Sequence, residues 1–332
     1  MAAEALRLEP KGPSALPDLS VLVPILNEEA CLPMLFERLY ATLDPLGLRY
    51  EVIFIDDGST DRSLALLRSQ FEKRPSVTRI VVLRRNFGQH AALRAGFLKS
   101  RGRYVVTLDA DLQNPPEEIA KIVGELDRGF DCVGGVRSSR EDSWFRRTAS
   151  RAANWVRQRT TRIRMTDHGC MLRGYHRSLV DALNRVSDVH TFLPAVAYLL
   201  AAKPTEVEVR HEARAGGTSK YSLLKLARLN FDLMTGFSVA PLMFLSVVGV
   251  LLAGASGALV LVLVARRIFL GPEAEGLFTL FAIMFFFIGV VLLGVGLLGE
   301  FVARIYQQVR NLPTYLIGAV IEDDDTQGNT PP

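Results

Sequence analysis

The sequence predicts an α/β domain with a doubly wound parallel sheet, followed by two helices that form a membrane hairpin. Three observations predict it. From Ser20 to Arg128, short β-branched and apolar runs alternate with segments of helical periodicity, the order that gives a parallel sheet with helices on both faces. These runs end in acidic and amide residues, at the strand edge where open α/β sheets bind ligands. Beyond them, Leu233–Ala265 and Gly276–Gly299 contain no charged residue, and each exceeds the roughly 20 residues that cross a bilayer.

The chain has 332 residues, 49% of them hydrophobic, with 39 Lys and Arg against 35 Asp and Glu and a formal net charge of +4. Its apolar residues are unevenly spread, so a soluble-looking body precedes a membrane-looking end. Mild basicity suits nucleic acid, anionic lipid or phosphorylated substrates. A nucleic-acid role is set aside, because it needs neither the charge-free stretches nor an acidic crevice. Cys31, Cys132 and Cys170 lack metal-ligand spacing and read as buried thiols. Met1–Asp18 has no apolar core of a signal peptide and reads as a flexible arm.

Ser20–Ile25 is the first strand, with Pro24 near its end and Asn27, Glu28 and Glu29 after it. Leu32, Leu35, Phe36 and Leu39 then recur at helical spacing. Glu51–Ile55 is a second strand, closing on Asp56-Asp57-Gly58-Ser59, where Ser59 or Thr60 can cap the helix carrying Leu64, Leu67 and Phe71. Arg79–Leu83 is a third strand; after Asn86-Phe87-Gly88 comes a helix that opens near His90, with Ala91, Ala92, Ala95 and Leu98. No dinucleotide fingerprint follows the first strand.

The fourth strand, within Tyr104–Leu108, delivers Asp109 and Asp111, then Gln113, and stops at Pro115-Pro116. Hard divalent cations take oxygen ligands, commonly one or two carboxylates plus substrate phosphates. Asp-x-Asp at a strand end is therefore a candidate metal–diphosphate site. Pro115–Arg128 reads as a helix, and a strand near Phe130–Val133 leads to Gly134-Gly135-Val136-Arg137.

Ser143–Met165 holds seven arginines with Trp144, Phe145 and Trp155, a basic amphipathic pattern suited to a membrane surface. Glu206–Val209 alternates like a half-buried strand. Gly216–Ser222 is a glycine-containing loop with Lys220, and Leu223–Thr235 reads as an interfacial helix. Lys220, Lys225, Arg228, Arg304 and Arg310 flank the hairpin against Arg266 and Arg267 in its loop. The positive-inside rule then places both termini and the body in the cytoplasm. His168, His176, His190 and His211 show no metal-ligand spacing, and no function is read for them.

Six segments now bear on one another: VPILNEE (23–29), IDDGSTD (55–61), NFGQHAA (86–92), LDADLQNPPEEI (108–119), GGVR (134–137) and GGTSKYS (216–222). With the terminal hairpin, they resemble glycosyltransferase family 2, of GT-A fold, in the branch that glycosylates polyprenyl phosphates. DHGCMLRGY (167–175) and TFLP (191–194) narrow the resemblance to the undecaprenyl-phosphate 4-deoxy-4-formamido-L-arabinose transferases, whose product carries aminoarabinose toward lipid A, a modification tied to polymyxin resistance. His168 and Gly174 depart from that family's usual DYGCMLRAY.

The resemblance implies a UDP-sugar donor, an undecaprenyl phosphate acceptor held in the lipid bilayer of the bacterial inner membrane, inversion at the anomeric carbon, and a homo-tetramer. It implies that Pro24, Asn27, Glu28 and Asp57, with Asn86, Gly88 and Asp109, bind the nucleotide. It further implies that Asp109, Asp111 and Gln113 hold Mg2+ or Mn2+, which neutralises charge on the departing UDP. Arg137 and Lys220 supply fixed positive charge. A phosphate acceptor is mostly dianionic at neutral pH, its second pKa being about 6, so no general base is assigned. The alternative is transfer of glucose, mannose, galacturonic acid or an N-acetylhexosamine to the same lipid.

The expected organisation is an arm over 1–18, the sheet domain over 19–215, and a donor-side loop with an interfacial helix over 216–236. Two membrane helices (about 237–265 and 276–299) follow within 237–300, and a cytoplasmic tail over 301–332 ends in disorder.

Overall fold

The computed structural model describes residues 16–137, 165–167, 169–186, 192–212, 240–270, 277–310 and 313–323. The basic segment 143–165 up to Arg164, the interfacial helix, His168 and Lys220 lie outside them. So does most of the expected arm, although Tyr104 and Arg103 donate to the carbonyls of Asp18 and Pro17, so 17–18 already belong to the body.

Four strands, β1 (Leu19–Ile25), β2 (Tyr50–Asp56), β3 (Thr78–Leu83) and β4 (Tyr104–Thr107), are parallel and lie in the order β3-β2-β1-β4. The chain winds outward from β1 to β3 and then returns to the other side of β1 as β4. Strand order thus reverses between β1 and β4, where a crevice opens at the carboxyl ends. Both faces of these strands are buried, which explains their continuous apolar sequence. Leu19, Val21 and Val23 pack with α1 (Leu32–Leu43), α2 (Ser63–Lys73) and α4 (Ile119–Asp127). Leu22, Ile53 and Ile55 pack on the other face with α3 (Gln89–Lys99), α5 (Arg177–Asn184) and α6 (Leu193–Leu200). All three cysteines are free and buried.

The sheet is mixed rather than wholly parallel, which corrects the expectation. Beyond β4 it continues as β6 (Arg173–His176), β5 (Cys132–Arg137) and β7 (Pro204–Val209), with β6 antiparallel to both neighbours. At the opposite edge β8 (Ile317–Ile321) pairs antiparallel with β3. Part of the expected tail is therefore sheet. Glu322, just past β8, is gripped by Arg79 at 2.6 Å and Arg101 at 2.9 Å, and Arg79 also pairs with Glu51 at 2.8 Å.

Gly174 has a packing reason. A Cβ there would stand 2.3 Å from Ile122 Cγ2 and 2.9 Å from Leu126 Cδ1, so α4 lies directly on β6.

The helical unit comprises α7 (Ala240–Leu270), of 31 residues, and α8 (Leu277–Val309), of 33. The Gly294 Cα region approaches Leu245 Cδ2, which a Cβ would meet at 3.3 Å. Phe244, Val250, Leu261, Ile268 and Phe269 are all more than two-thirds exposed. Among the described residues one window, Phe286–Ala303, is long and apolar enough to cross a membrane.

Gly174→Ala is expected to cost about 1–3 kcal/mol through overpacking, because a β-branched Ile122 has little rotamer freedom to give way. Combining it with Ile122→Ala should recover part of that loss. Thermal unfolding of the two single variants and the double variant measures the coupling, and strict additivity would remove the contact argument.

Candidate active site

The loops at the carboxyl ends of β1, β2, β3 and β4 are tied to one another before any ligand is considered. Asn27, in the left-handed region at φ 55°, donates its backbone N–H to Ser59 Oγ at 3.1 Å and accepts from Thr60 N at 2.8 Å. Ser59 and Thr60 therefore do not cap α2, as the sequence suggested; Asp61 accepts from Ser63 N at 2.9 Å instead. Glu28 N donates to Ser63 Oγ at 2.9 Å. The loop after β1 is thus zipped to the loop after β2.

Asp57 reaches further. Its carboxylate accepts from Phe87 N at 2.8 Å and Gly88 N at 2.9 Å, and Asn86 Oδ1 also accepts from Gly88 N at 3.0 Å. Asp57 is only 2% exposed. Burial raises its pKa, and the two N–H groups oppose that rise. Its visible work is to hold the 86–88 loop, so it shapes the crevice from behind. Gly58 allows this: its φ is +73°, and a Cβ would lie 2.6 Å from the Arg85 carbonyl carbon. Pro24 lies within β1, half-buried and paired with Ile55.

At β4 the burial alternates. Asp109, Asp111 and Gln113 reach the surface, whereas Ala110, Leu112 and Asn114 are buried. Leu112 sits at φ 60°, a conformation that costs a bulky residue on the order of 1–3 kcal/mol and is held by its surroundings. Its side chain is 3% exposed within the core. The turn therefore spends core burial on aiming three oxygen-bearing side chains outward.

Asp109 is the perturbed group. Burial, then the charge of Asp111, pushes its pKa up to about 7; Glu28 adds to the rise, while Gln89 and Arg137 oppose it. Gln89 Nε2 donates to Asp109 Oδ1 at 2.6 Å. A half-buried carboxylate crowded by two others is what a cation would relieve. Among the described residues no group of three His, Cys, Asp or Glu forms a metal cage. The donor set of Asp109, Asp111 and Gln113 therefore fits a hard cation that takes its remaining ligands from phosphate and water.

Arg137 ends β5 and is fixed by Asp167, with Nε and Nη2 donating to the two carboxylate oxygens at 2.6 and 2.8 Å. Asp167 is positioned in turn by Arg173, which is 2% exposed and donates to the carbonyls of Asp167 at 2.6 Å and Cys170 at 2.9 Å. Asp167, Cys170 and Arg173 thus form a buried bracket that holds Arg137 within electrostatic reach of Asp109. Lys220 lies outside the described residues.

Two residues escaped the sequence reading. Gln89 belongs to NFGQHAA, and its place at the first turn of α3 was the available signal. His211 follows β7 at the same sheet edge. Its pKa is lowered by burial and then by Arg137, with Asp167 and Asp111 opposing, and its Nδ1 is buried without a hydrogen-bond partner. The next residue, Glu212, donates its N–H to Gln113 O at 2.9 Å and is clamped by Arg38 at 2.9 Å. No spacing rule marks such a histidine; only the return of β7 to the acidic turn does.

Residues 20–183 match the family described as Glycosyl transferase family 2. The chain is 47% identical over 309 residues to the undecaprenyl-phosphate 4-deoxy-4-formamido-L-arabinose transferase of Aeromonas hydrophila, covering 92% of this chain and 95% of that one. It is 47% identical over 304 residues to the protein of the same name from Serratia proteamaculans, covering 91% and 93%. Among solved structures it is similar to a Mycobacterium tuberculosis glucosyl-3-phosphoglycerate synthase in complex with Mn2+, UDP and glucosyl-3-phosphoglycerate. That similarity has 18% identity and a TM-score of 0.49, over 66% of this chain and 78% of that one.

The raised pKa of Asp109 sets a pH signature. The neutral form is favoured in the folded state, so the metal-free protein loses stability as pH rises through about 7. Asp109→Asn should remove that loss, leaving the metal-free variant more stable than the parent at pH 8 by on the order of 2 kcal/mol. Divalent cation should bind the parent more tightly at pH 8 than at pH 6. Unfolding curves with chelator and with Mn2+ at the two pH values check both; equal cation stabilisation at both would refute the assignment.

Proposed function

The chain belongs to glycosyltransferase family 2 and, within it, to the undecaprenyl-phosphate 4-deoxy-4-formamido-L-arabinose transferases, and from that membership we propose its reaction and its place in the cell. It moves 4-deoxy-4-formamido-L-arabinose from a UDP donor to undecaprenyl phosphate, with inversion, at the cytoplasmic face of the bacterial inner membrane. The observation that carries the site assignment is the alternation after β4, which puts Asp109, Asp111 and Gln113 together on the open side of the switch point.

The residues divide the work. Asn27 and Glu28, on the loop zipped to 59–63, line the crevice for the uridine together with Pro24. Asp57 supports the same pocket through the backbone of Phe87 and Gly88. Asp109, Asp111 and Gln113 would hold Mg2+ or Mn2+. Such an ion supplies charge neutralisation for the diphosphate leaving group. Gln89 fixes the Asp109 carboxylate, and the bidentate pair with Asp167 leaves the Nη1 edge of Arg137 outside that pair. Arg137 thus offers positive charge to a diphosphate or to the incoming phosphate, a preorganised electrostatic contribution. Lys220 joins it by resemblance. The acceptor phosphate is already mostly dianionic at neutral pH, which accords with the lack of an assigned base.

The bilayer assignment has its own support. The exposed apolar side chains of α7 and α8 would form a patch far larger than water-soluble monomers tolerate. Because β7 and β8 belong to one sheet, the chain between Val209 and Ile317 crosses a membrane an even number of times. One crossing by Phe286–Ala303 therefore requires a second, and α7 supplies it. Basic residues outside the hairpin favour the cytoplasm for the body and both termini. Assembly as a homo-tetramer rests on the resemblance alone.

Purified enzyme in detergent, given undecaprenyl phosphate, Mg2+ and a panel of UDP-sugars, should release UDP and form lipid-linked sugar only with the 4-formamido-arabinose donor. Asp111→Ala should lower turnover by about 100-fold or more while the protein stays folded. Turnover with glucose or another hexose donor instead would replace the named sugar, and turnover untouched by Asp111→Ala would discard the site.

A further inference from the structure

The last strand of the sheet comes after the two apolar helices, and its two ends meet very different parts of the body. At its far end Glu322 accepts from Arg79 Nε at 2.9 Å and Arg101 Nη2 at 2.9 Å. Arg79 also donates to Glu51 at 2.8 Å and to the Lys99 carbonyl at 2.7 Å. Arg79 and Glu51 are each 7% exposed at the side chain. Removing the Glu322 charge leaves two guanidinium groups with unmet donors at a mostly buried site, which costs more than the pair contributes when intact.

At its near end the strand abuts the crevice. Arg84 N donates to Leu316 O at 2.9 Å, extending the β3–β8 ladder past Leu83, where the register shifts. Arg84 opens the 84–88 loop. Gly58 underlies that loop at Arg85 and Asn86, Asp57 holds Phe87 and Gly88, and Gln89 grips Asp109. Every one of those contacts except the bond to Leu316 comes from the loops after β2 and β4 or from α3. Without β8, the outer edge of β3 would be unpaired and the entry to the loop would have no fixed side.

We propose that β8 and its Glu322 latch are positioning elements for the donor: by fixing where β3 ends, they set the loop from Arg84 to Gln89 that borders the nucleotide crevice. The inference rests on the nucleotide reading of that crevice. It makes donor affinity depend on residues that lie beyond both apolar helices.

The test uses the full-length enzyme in detergent. Glu322→Gln should raise the Kd for UDP, measured by calorimetry with Mg2+, and the KM for the sugar donor, each about tenfold. The kcat and the KM for undecaprenyl phosphate should stay within twofold. Amide exchange at Phe87 and Gly88 should accelerate, and Glu322→Asp should restore most of the donor affinity. A lowered melting temperature with unchanged UDP Kd and donor KM would reduce β8 to a cover for β3 and overturn the proposal. UDP binding is read without sugar or lipid, so failure to turn over any donor would count against the reaction and not against this inference.

Discussion

The Asp57 carboxylate accepts two backbone N–H groups, from Phe87 and Gly88, and this pair of bonds joins the second strand of the sheet to the entry of the third helix. A carboxylate so deeply placed is costly unless its oxygens are satisfied, and here backbone satisfies them. The consequence runs outward. Once Phe87 and Gly88 are fixed, α3 can begin only where Gln89 reaches Asp109. Gly58 must lack a side chain for the Arg85–Asn86 backbone to lie over it. The crevice is thus built mostly from backbone held by buried acids, and backbone does not relax when a ligand leaves.

The acids at the surface obey the opposite rule. Asp109, Asp111 and Glu28 repel one another, and burial adds to the penalty on Asp109. The fold tolerates this because the strain is local. Leu112, at positive φ, is anchored by the core, and Arg137, the compensating cation, is locked by Asp167 and by the fully buried Arg173. Structure next to the site is over-satisfied so that the site itself can stay under-satisfied. A bound divalent cation would supply the charge balance that the protein withholds, and so accept a diphosphate beside these acids.

Much of this was legible in the sequence, for physical reasons. Parallel strands buried on both faces read as apolar runs, and the acids that follow them mark the carboxyl edge of the sheet. Hence the four central strands, their helices and the place of the acidic turn could be read directly, whereas the outward aim of Asp109, Asp111 and Gln113 depends on a turn with Leu112 at positive φ. The antiparallel β6 could not. Its residues, Arg173-Gly174-Tyr175-His176, carry no strand pattern; the strand exists because Arg173 is needed beneath the 167–170 turn and Gly174 beneath α4. His211 and Gln89 were invisible for a related reason, since each earns its place through a neighbour far away in the chain. The bonds from Asp57 to Phe87 N and Gly88 N were equally illegible, because a strand-end acid looks the same in sequence whether its hydrogen bonds go to backbone or to substrate.

The strand β8 shows what decides such cases. Glu322 and Arg79 are 243 residues apart, and no local pattern links them. Closing a loop that long costs only about 3 kcal/mol more than closing one of about eight residues, because each doubling adds about 0.6 kcal/mol. The ladder bonds to β3 contribute about 0.5–1.5 kcal/mol each, and bonds to charged groups such as Glu322 about twice that. A few such bonds outweigh the closure entropy. The connecting α7 and α8 lower it further, since they replace part of the flexible chain by two rods. An exposed edge strand invites pairing with another chain, and a very short edge strand limits that hazard; β8, of five residues, takes the edge in place of β3. Sequence distance is therefore a weak guide to which strand lies at a sheet edge, and the charge left by Glu322 at the end of an apolar pentad is the better one.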